Sequence, residues 1–161
     1  QFAVVVPGGV EHVGLRARTL HETGNWLILT DFPNAFNTVK RTAVLEEVVN
    51  CMPALTPLVA KCYGTRPADV FFRMDSGETK TVACSRGVQQ GDPMGPAMFC
   101  LALRPGLKRF RQGLEGERVE AFADMDDVSL GLTGTTANTA RAFAFLRREL
   151  DDIGIVVNAA K

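Results

Sequence analysis

The sequence predicts an α+β fold, one antiparallel sheet backed by helices on one face. Three observations predict it. Short apolar runs of strand length stand at Trp26-Leu27-Ile28-Leu29, at Val119 to Ala123 and at Val128 to Leu132. The last two are separated only by a tight acidic turn, so they read as a hairpin. Long segments with helical periodicity fill most of the remainder. Hairpin-joined strands with helices gathered apart from them indicate α+β, not a strand–helix–strand alternation.

In chain order, Val10, Val13, Ala17 and Leu20 recur at helical spacing and predict a helix from Gly9 to Glu22, ended by Gly24-Asn25. Trp26 to Leu29 is then a buried strand closing on Thr30-Asp31. Beyond Pro33 the pattern turns helical again, with Leu45, Val48, Val49 and Met52 expected on one face. Pro53 stops that helix, and a shorter one covers Leu55 to Tyr63. Asp69 to Met74 and Lys80 to Cys84 read as strands joined at Asp75-Ser76-Gly77. Ala97 to Phe110 is apolar almost all round, which predicts a deeply buried helix. Ala140, Phe143, Leu146, Leu150 and Ile153 mark a last amphipathic helix. Gly154 caps it, and Ile155-Val156-Val157 is expected as a final strand.

The 161 residues suit one domain with a real core. No apolar run approaches the roughly 20 residues of a membrane span. Gln1 to Val6 lacks a charged leader and does not read as a signal peptide. The apolar start and the end at Lys161 suggest a piece of a longer chain. Formal net charge is zero, which argues mildly against a nucleic-acid binder. The charge is uneven, however: Lys108, Arg109 and Arg111 cluster, as do Arg147 and Arg148, while Asp124, Asp126 and Asp127 form the densest acidic knot. The four cysteines show no metal-ligand spacing and are expected to be reduced and mostly buried. His12 and His21 have no third ligand near them in sequence, which argues against a metal role.

Three segments carry candidate chemistry. Asp31-Phe32-Pro33-Asn34-Ala35-Phe36-Asn37 puts an acid at the end of a buried strand; it reads equally as a helix cap with Phe36 in the core. Ser85 to Pro96 combines glycines, which permit positive φ and close backbone approach, with Gln89-Gln90, and opens a helix whose N-terminus favours phosphate. A plain turn-rich loop would look similar. Phe122-Ala123-Asp124-Met125-Asp126-Asp127 crowds carboxylates that repel unless a cation neutralises them or water solvates the turn.

Taken in order, these segments resemble the motifs of the reverse transcriptases of non-LTR retrotransposons. Leu29-Thr30-Asp31 through Asn37 resembles polymerase motif A. Arg86-Gly87-Val88-Gln89-Gln90-Gly91-Asp92-Pro93 resembles motif B, in highly specific wording. Phe122 to Asp127 resembles motif C, and Gly154 to Lys161 motif D. The resemblance covers nearly the whole chain. It implies the palm of a right-handed polymerase, with residues 1–25 the end of the fingers and 26–161 the palm. Most of the fingers, the primer grip and the thumb would lie elsewhere.

The resemblance implies an RNA-directed DNA polymerase that transfers nucleotides with two Mg²⁺ or Mn²⁺ ions, the isolated piece being inactive. Asp31, Asp126 and Asp127 would be the catalytic metal ligands and Lys161 a proton donor to pyrophosphate. Phe32, Phe36, Gln90 and Gly91 would meet the incoming nucleotide, with Phe36 packed under the sugar. Arg86, Gly87 and Met125 would contact nucleic acid. Partners would be an RNA or DNA template, a DNA primer, dNTPs and the remainder of a larger polyprotein, inside the cell and away from membranes. One position departs from the family: Asp124 stands where motif C has an aromatic residue. In a second register Phe122-Ala123-Asp124 is the motif, Met125 an insertion, and Asp124 the alternative metal ligand. A palm-fold remnant without catalysis and a non-enzymatic nucleic-acid-binding module are the other two readings.

Overall fold

The computed structural model of the chain describes residues 7–64, 66–114, 119–124, 127–133 and 135–157, leaving aside the side chains of Asp124 and Asp127. Its elements are α1 (Gly9–Glu22), β1 (Trp26–Thr30), α2 (Ala35–Thr38), α3 (Arg41–Cys51), a 3-10 turn (Pro53–Leu55), α4 (Thr56–Tyr63), β2 (Ala68–Arg73), β3 (Thr79–Cys84), α5 (Gly95–Gly113), β4 (Val119–Asp124), β5 (Asp127–Leu132) and α6 (Thr136–Asp152). The expected α+β class holds, and the main elements stand where periodicity put them.

β1, β5 and β4 form a three-stranded antiparallel sheet in the order β1-β5-β4. β5 is central, pairing Val128 with Thr30 on one side and with Ala123 on the other. Its pleat divides the domain. Val128, Leu130 and Leu132 are at most 2% exposed and belong to the main core, with Phe99 and Leu103 of α5 and Leu146 and Leu150 of α6. The opposite face carries Gly131, where an added Cβ would stand 2.4 Å from the Leu20 side chain of α1 and 3.7 Å from the Phe122 ring. So α1 lies across the second face, apart from the helices that back the sheet. Arg16 fastens it to β4 by a two-pronged ion pair with Glu120, whose carboxyl is held below the usual range mainly by Arg16's hydrogen bond.

Several details differ from the expectation. In α3 the buried stripe is Arg41, Val44 and Val48, and Val49 and Met52 face outward. α5 is amphipathic, not apolar all round: Met98, Phe99, Ala102, Leu103, Gly106 and Phe110 are buried, while Arg104, Lys108, Arg109 and Arg111 are exposed. In α6 the stripe is Thr139, Ala142, Leu146, Glu149 and Leu150, and Ala140 is exposed. Glu149 is tolerated there because Arg109, at 2.5 Å, and Arg148, at 3.2 Å, compensate its charge. Ile155 to Val157 alternates buried and exposed like a strand but is not assigned to one. β2 and β3 form a separate two-stranded sheet, so the antiparallel strands are not all in one sheet. Finally, Cys51 and Cys62 are exposed and Cys84 and Cys100 half-buried, none of the four in a disulfide, against the expectation of burial.

Candidate active site

β1 delivers Asp31. Thr30, its last residue, is buried and donates its hydroxyl to the Val128 carbonyl of β5. That bond adds to the ladder at the point where the two strands meet end to end. Asp31 follows Thr30, and Asp127 precedes Val128 across the same ladder. Both thus belong to one end of the sheet, and Asp31 is exposed there. Asp126, Met125 and Lys161 lie outside the described residues, as do the side chains of Asp124 and Asp127. Among the described residues no group of three or more His, Cys, Asp or Glu stands together. The donor set proposed from the motifs is nonetheless all carboxylate, which suits a hard divalent cation.

After Asp31 the chain turns sharply. Asn34 takes a left-handed conformation, φ 58°, a region in which Asn is among the best tolerated side chains, and caps the single turn of α2. This turn leaves Phe36 half-buried. Its ring stacks on Phe99 of α5, centroids 4.6 Å apart and planes 12° off parallel. With Gln89, Gln90, Gly91, Asp92, Pro93 and Pro96, Phe36 lines a cleft of about 390 Å³. Phe32 departs from the expectation: at 3% exposure its ring belongs to the core and is not part of that lining.

The loop that forms the cleft's other wall is strapped to the α2 turn. Gly87 donates its N–H to Val39 O at 2.8 Å, and Val88 to Phe36 O at 2.7 Å. Arg41, buried at the start of α3, donates from Nε to Gly87 O at 3.0 Å and sets its guanidinium 5.9 Å from the centre of the Tyr63 ring. Tyr63 donates its hydroxyl to Asp92 and accepts the Gln89 N–H at 3.3 Å. Asp92 in turn accepts the Met94 N–H at 2.9 Å. Burial first, then the bond to Asp92, pushes the Tyr63 phenol up to about 12. The same bond, with the Met94 N–H, holds the Asp92 carboxyl below its usual range.

A third segment braces the same turn. α6 ends with Gly154 at φ 84°, and Ile155 donates to Leu150 O at 3.0 Å, a Schellman cap. A Cβ on Gly154 would stand 2.8 Å from Thr38 O. Lys40 closes the contact, donating from its backbone to Ile153 O and from Nζ to Asp152 O, both at 2.8 Å.

The structure therefore brings Phe36, Gln90 and Gly91 to one cleft. Gly87 is buried outside its lining, and Arg86 is exposed at the loop's start. Motif and periodicity did not single out Arg41, Tyr63 or Lys40. A signal for two of them existed. Lys40 and Arg41 are basic at a helix N-terminus, where the macrodipole disfavours cations. Such a pair points to tertiary acceptors, and both have them.

Comparison with known proteins agrees with this geometry. A family model described as reverse transcriptase (RNA-dependent DNA polymerase) matches residues 3–161. Among curated relatives, the retrotransposable element SLACS 132 kDa protein of Trypanosoma brucei gambiense is 30% identical over 97% of this chain, which spans 13% of that protein. The Pol polyprotein from type-1 retrotransposable element R2 of Bradysia coprophila is 26% identical over 84% of the chain and 16% of its own length. Among solved structures, telomerase from Candida albicans superposes with a TM-score of 0.75 at 9% identity, over 94% of this chain and 30% of that one. Candida tropicalis telomerase gives 0.71 at 14% identity, over 98% and 29%. At these identities the telomerases show the fold alone. No helix among the described residues is long and apolar enough to cross a membrane. The match along nearly the whole chain shows that it belongs to the reverse transcriptase family.

Proposed function

We propose that this chain is the palm of a retrotransposon RNA-directed DNA polymerase and that it carries out template-directed nucleotidyl transfer. Asp31, Asp126 and Asp127 would hold two divalent cations, Mg²⁺ or Mn²⁺, which when bound neutralise charge on the attacking and leaving oxygens. The reading draws most support from one relation: Thr30 pairs with Val128, so the acid after Thr30 and the acid before Val128 belong to one end of the sheet. Phosphoryl transfer asks mainly for positioning and charge neutralisation, and rigid strand ends supply the first. Phe36, fixed on Phe99, offers a flat wall under the sugar that a 2′-hydroxyl would strike. Gln90 and Gly91 face the same cleft and would meet the incoming nucleotide. Phe32 would serve only as the core anchor of that turn. Arg86, Gly87 and Met125 would lie toward the nucleic acid, and Lys161 would protonate the departing pyrophosphate. Template, primer and dNTPs are the partners, and the relatives' lengths fit a domain of a larger polyprotein.

Primer extension on poly(rA)·oligo(dT) with dTTP and Mg²⁺, by the complete polypeptide that carries residues 1–161, tests this. Extension that Asp31→Asn abolishes is the expected result, and extension that survives Asp31→Asn overturns the assignment. Asp124 favours a second reading, a palm-fold domain without catalysis. Its signature is no extension under any metal, whereas salt-dependent nucleic-acid binding without extension would point to a non-enzymatic nucleic-acid-binding module.

A further inference from the structure

We propose that Tyr63 is a positioning residue for nucleotide binding, holding the Gln89–Asp92 backbone in place from behind the cleft. The inference rests on the reading of that cleft as the nucleotide site. Gln89, Gln90, Gly91 and Asp92 line the cleft, whereas Tyr63, at 1% exposure, does not. Tyr63 is the last residue of α4, yet its one hydroxyl grips both ends of this four-residue segment. It accepts the Gln89 N–H and donates to the Asp92 carboxylate. A phenol carries one donor and spare acceptor capacity, so both bonds are made at once.

The segment between those ends has little else to define it. Gly91 stands at φ 90° with open space for 4 Å around the point where a Cβ would stand, and Gln90 is exposed. Asp92 N–H to Gln89 O, at 3.3 Å, closes the turn across its base. Gly95 has to lack a side chain because a Cβ there would stand 2.7 Å from Gln89 O. Arg41 completes the frame: it holds Gly87 O at the upstream end and lies over the Tyr63 ring at the downstream end. Arg41 and Tyr63 thus fix the loop at Gly87 and at Gln89–Asp92. Replacing Tyr63 by Phe would keep the ring's packing and the contact with Arg41 while removing both grips.

Two measurements test this. The first is hydrogen exchange on the complete polypeptide, wild type against Tyr63→Phe. Amides from Gln89 to Asp92 should exchange about tenfold faster, the loss of one hydrogen bond's protection, with α5 and the sheet unchanged. Unchanged exchange at these amides overturns the proposal, whether or not the protein polymerises. The second is steady-state primer extension with dTTP by the complete polypeptide. Tyr63→Phe and Asp92→Asn should each raise KM for dTTP about tenfold with kcat changed less than about twofold, and the double variant should be no worse than either. A fall in kcat at constant KM would mean fewer folded molecules and overturns the positioning role. Wild-type protein that does not extend at all, with the exchange result as expected, defeats the polymerase reading and leaves Tyr63 holding a loop with no nucleotide to serve, which overturns its assigned role too.

Discussion

Gly87 lies directly against the backbone of Asn37: a Cβ on Gly87 would stand 2.5 Å from Asn37 Cα and 2.6 Å from its carbonyl carbon. This contact lets the glycine loop donate to Phe36 O and Val39 O, so two candidate site segments are joined backbone to backbone. Gly87→Ala should therefore destabilise the domain by at least about 3 kcal/mol, adding strain at φ 76° to an overpacked backbone contact. Gly77→Ala is the control. It has a similar φ, 84°, but open space around it, and should cost only about 1 kcal/mol. Urea midpoints at constant slope measure both. Equal losses would show that φ alone sets the cost and that Asn37 yields.

Phe36 sits at the boundary of core and cleft, so its truncation has two effects that can be separated. Phe36→Val in the complete polypeptide should raise the ratio of kcat/KM for ribonucleotides over deoxyribonucleotides by about tenfold or more, about 1.4 kcal/mol of relieved clash. Losing the stack on Phe99 should also cost roughly 1 to 2 kcal/mol of stability. Single-nucleotide incorporation with paired dNTP and rNTP decides the first. Unchanged sugar discrimination with the stability loss present would leave Phe36 a packing residue only.

The Tyr63–Asp92 pair predicts two pH limits. Tyr63 is the chain's only tyrosine, so absorbance near the phenolate band reports it alone. Its phenol should ionise at about 12 instead of 10.0. A raised folded value means the contribution to stability is complete below 10.0 and is lost as pH rises through about 12. Asp92→Asn should lower the ionisation only part of the way, because burial is the larger cause. At the acid end Asp92 is depressed below 3.8, so its contribution is present above 3.8 and fades as pH falls through its lower folded value. Tyr63→Phe should weaken that acid dependence. A phenol whose titration Asp92→Asn leaves unmoved would show that the bond to Asp92 is not made.

Most of the fold could be read from the sequence because its signals are local. Apolar period, Gly24, Pro53 and Gly154 mark element ends through their own backbone preferences. What could not be read depended on partners far along the chain. Glu149 lies on the buried stripe of α6 only because Arg109 of α5 reaches it. The buried face of α3 differs from the apolar pattern because Arg41 is buried on Gly87 O, a tertiary bond that hydrophobic periodicity does not encode. The site was legible as motif wording and order. The frame behind it, Arg41, Tyr63 and Lys40, consists of ordinary residues whose meaning comes from which carbonyl or carboxylate they meet.

Asp124 offers the sharpest test of the catalytic assignment. β4 and β5 pair without a bulge from Val119↔Leu132 to Asp124↔Asp127. Met125, the insertion of the second register, lies outside the described residues, so this pairing is compatible with either register. Position 124 is where the resemblance puts an aromatic residue in motif C. An aromatic residue there would give apolar contact under a primer end; a carboxylate loses it and adds charge near a phosphate. Like charges about 5 Å apart repel by roughly 3 kcal/mol at an effective dielectric near 20. About 100-fold in rate is then at stake, each 1.4 kcal/mol being tenfold. In the complete polypeptide Asp124→Tyr should therefore raise primer extension by about that factor. If Asp124 is instead itself a metal ligand, the same substitution abolishes extension. The two registers predict opposite signs, so one measured rate assigns the metal pair: a gain to Asp126 and Asp127, a loss to Asp124.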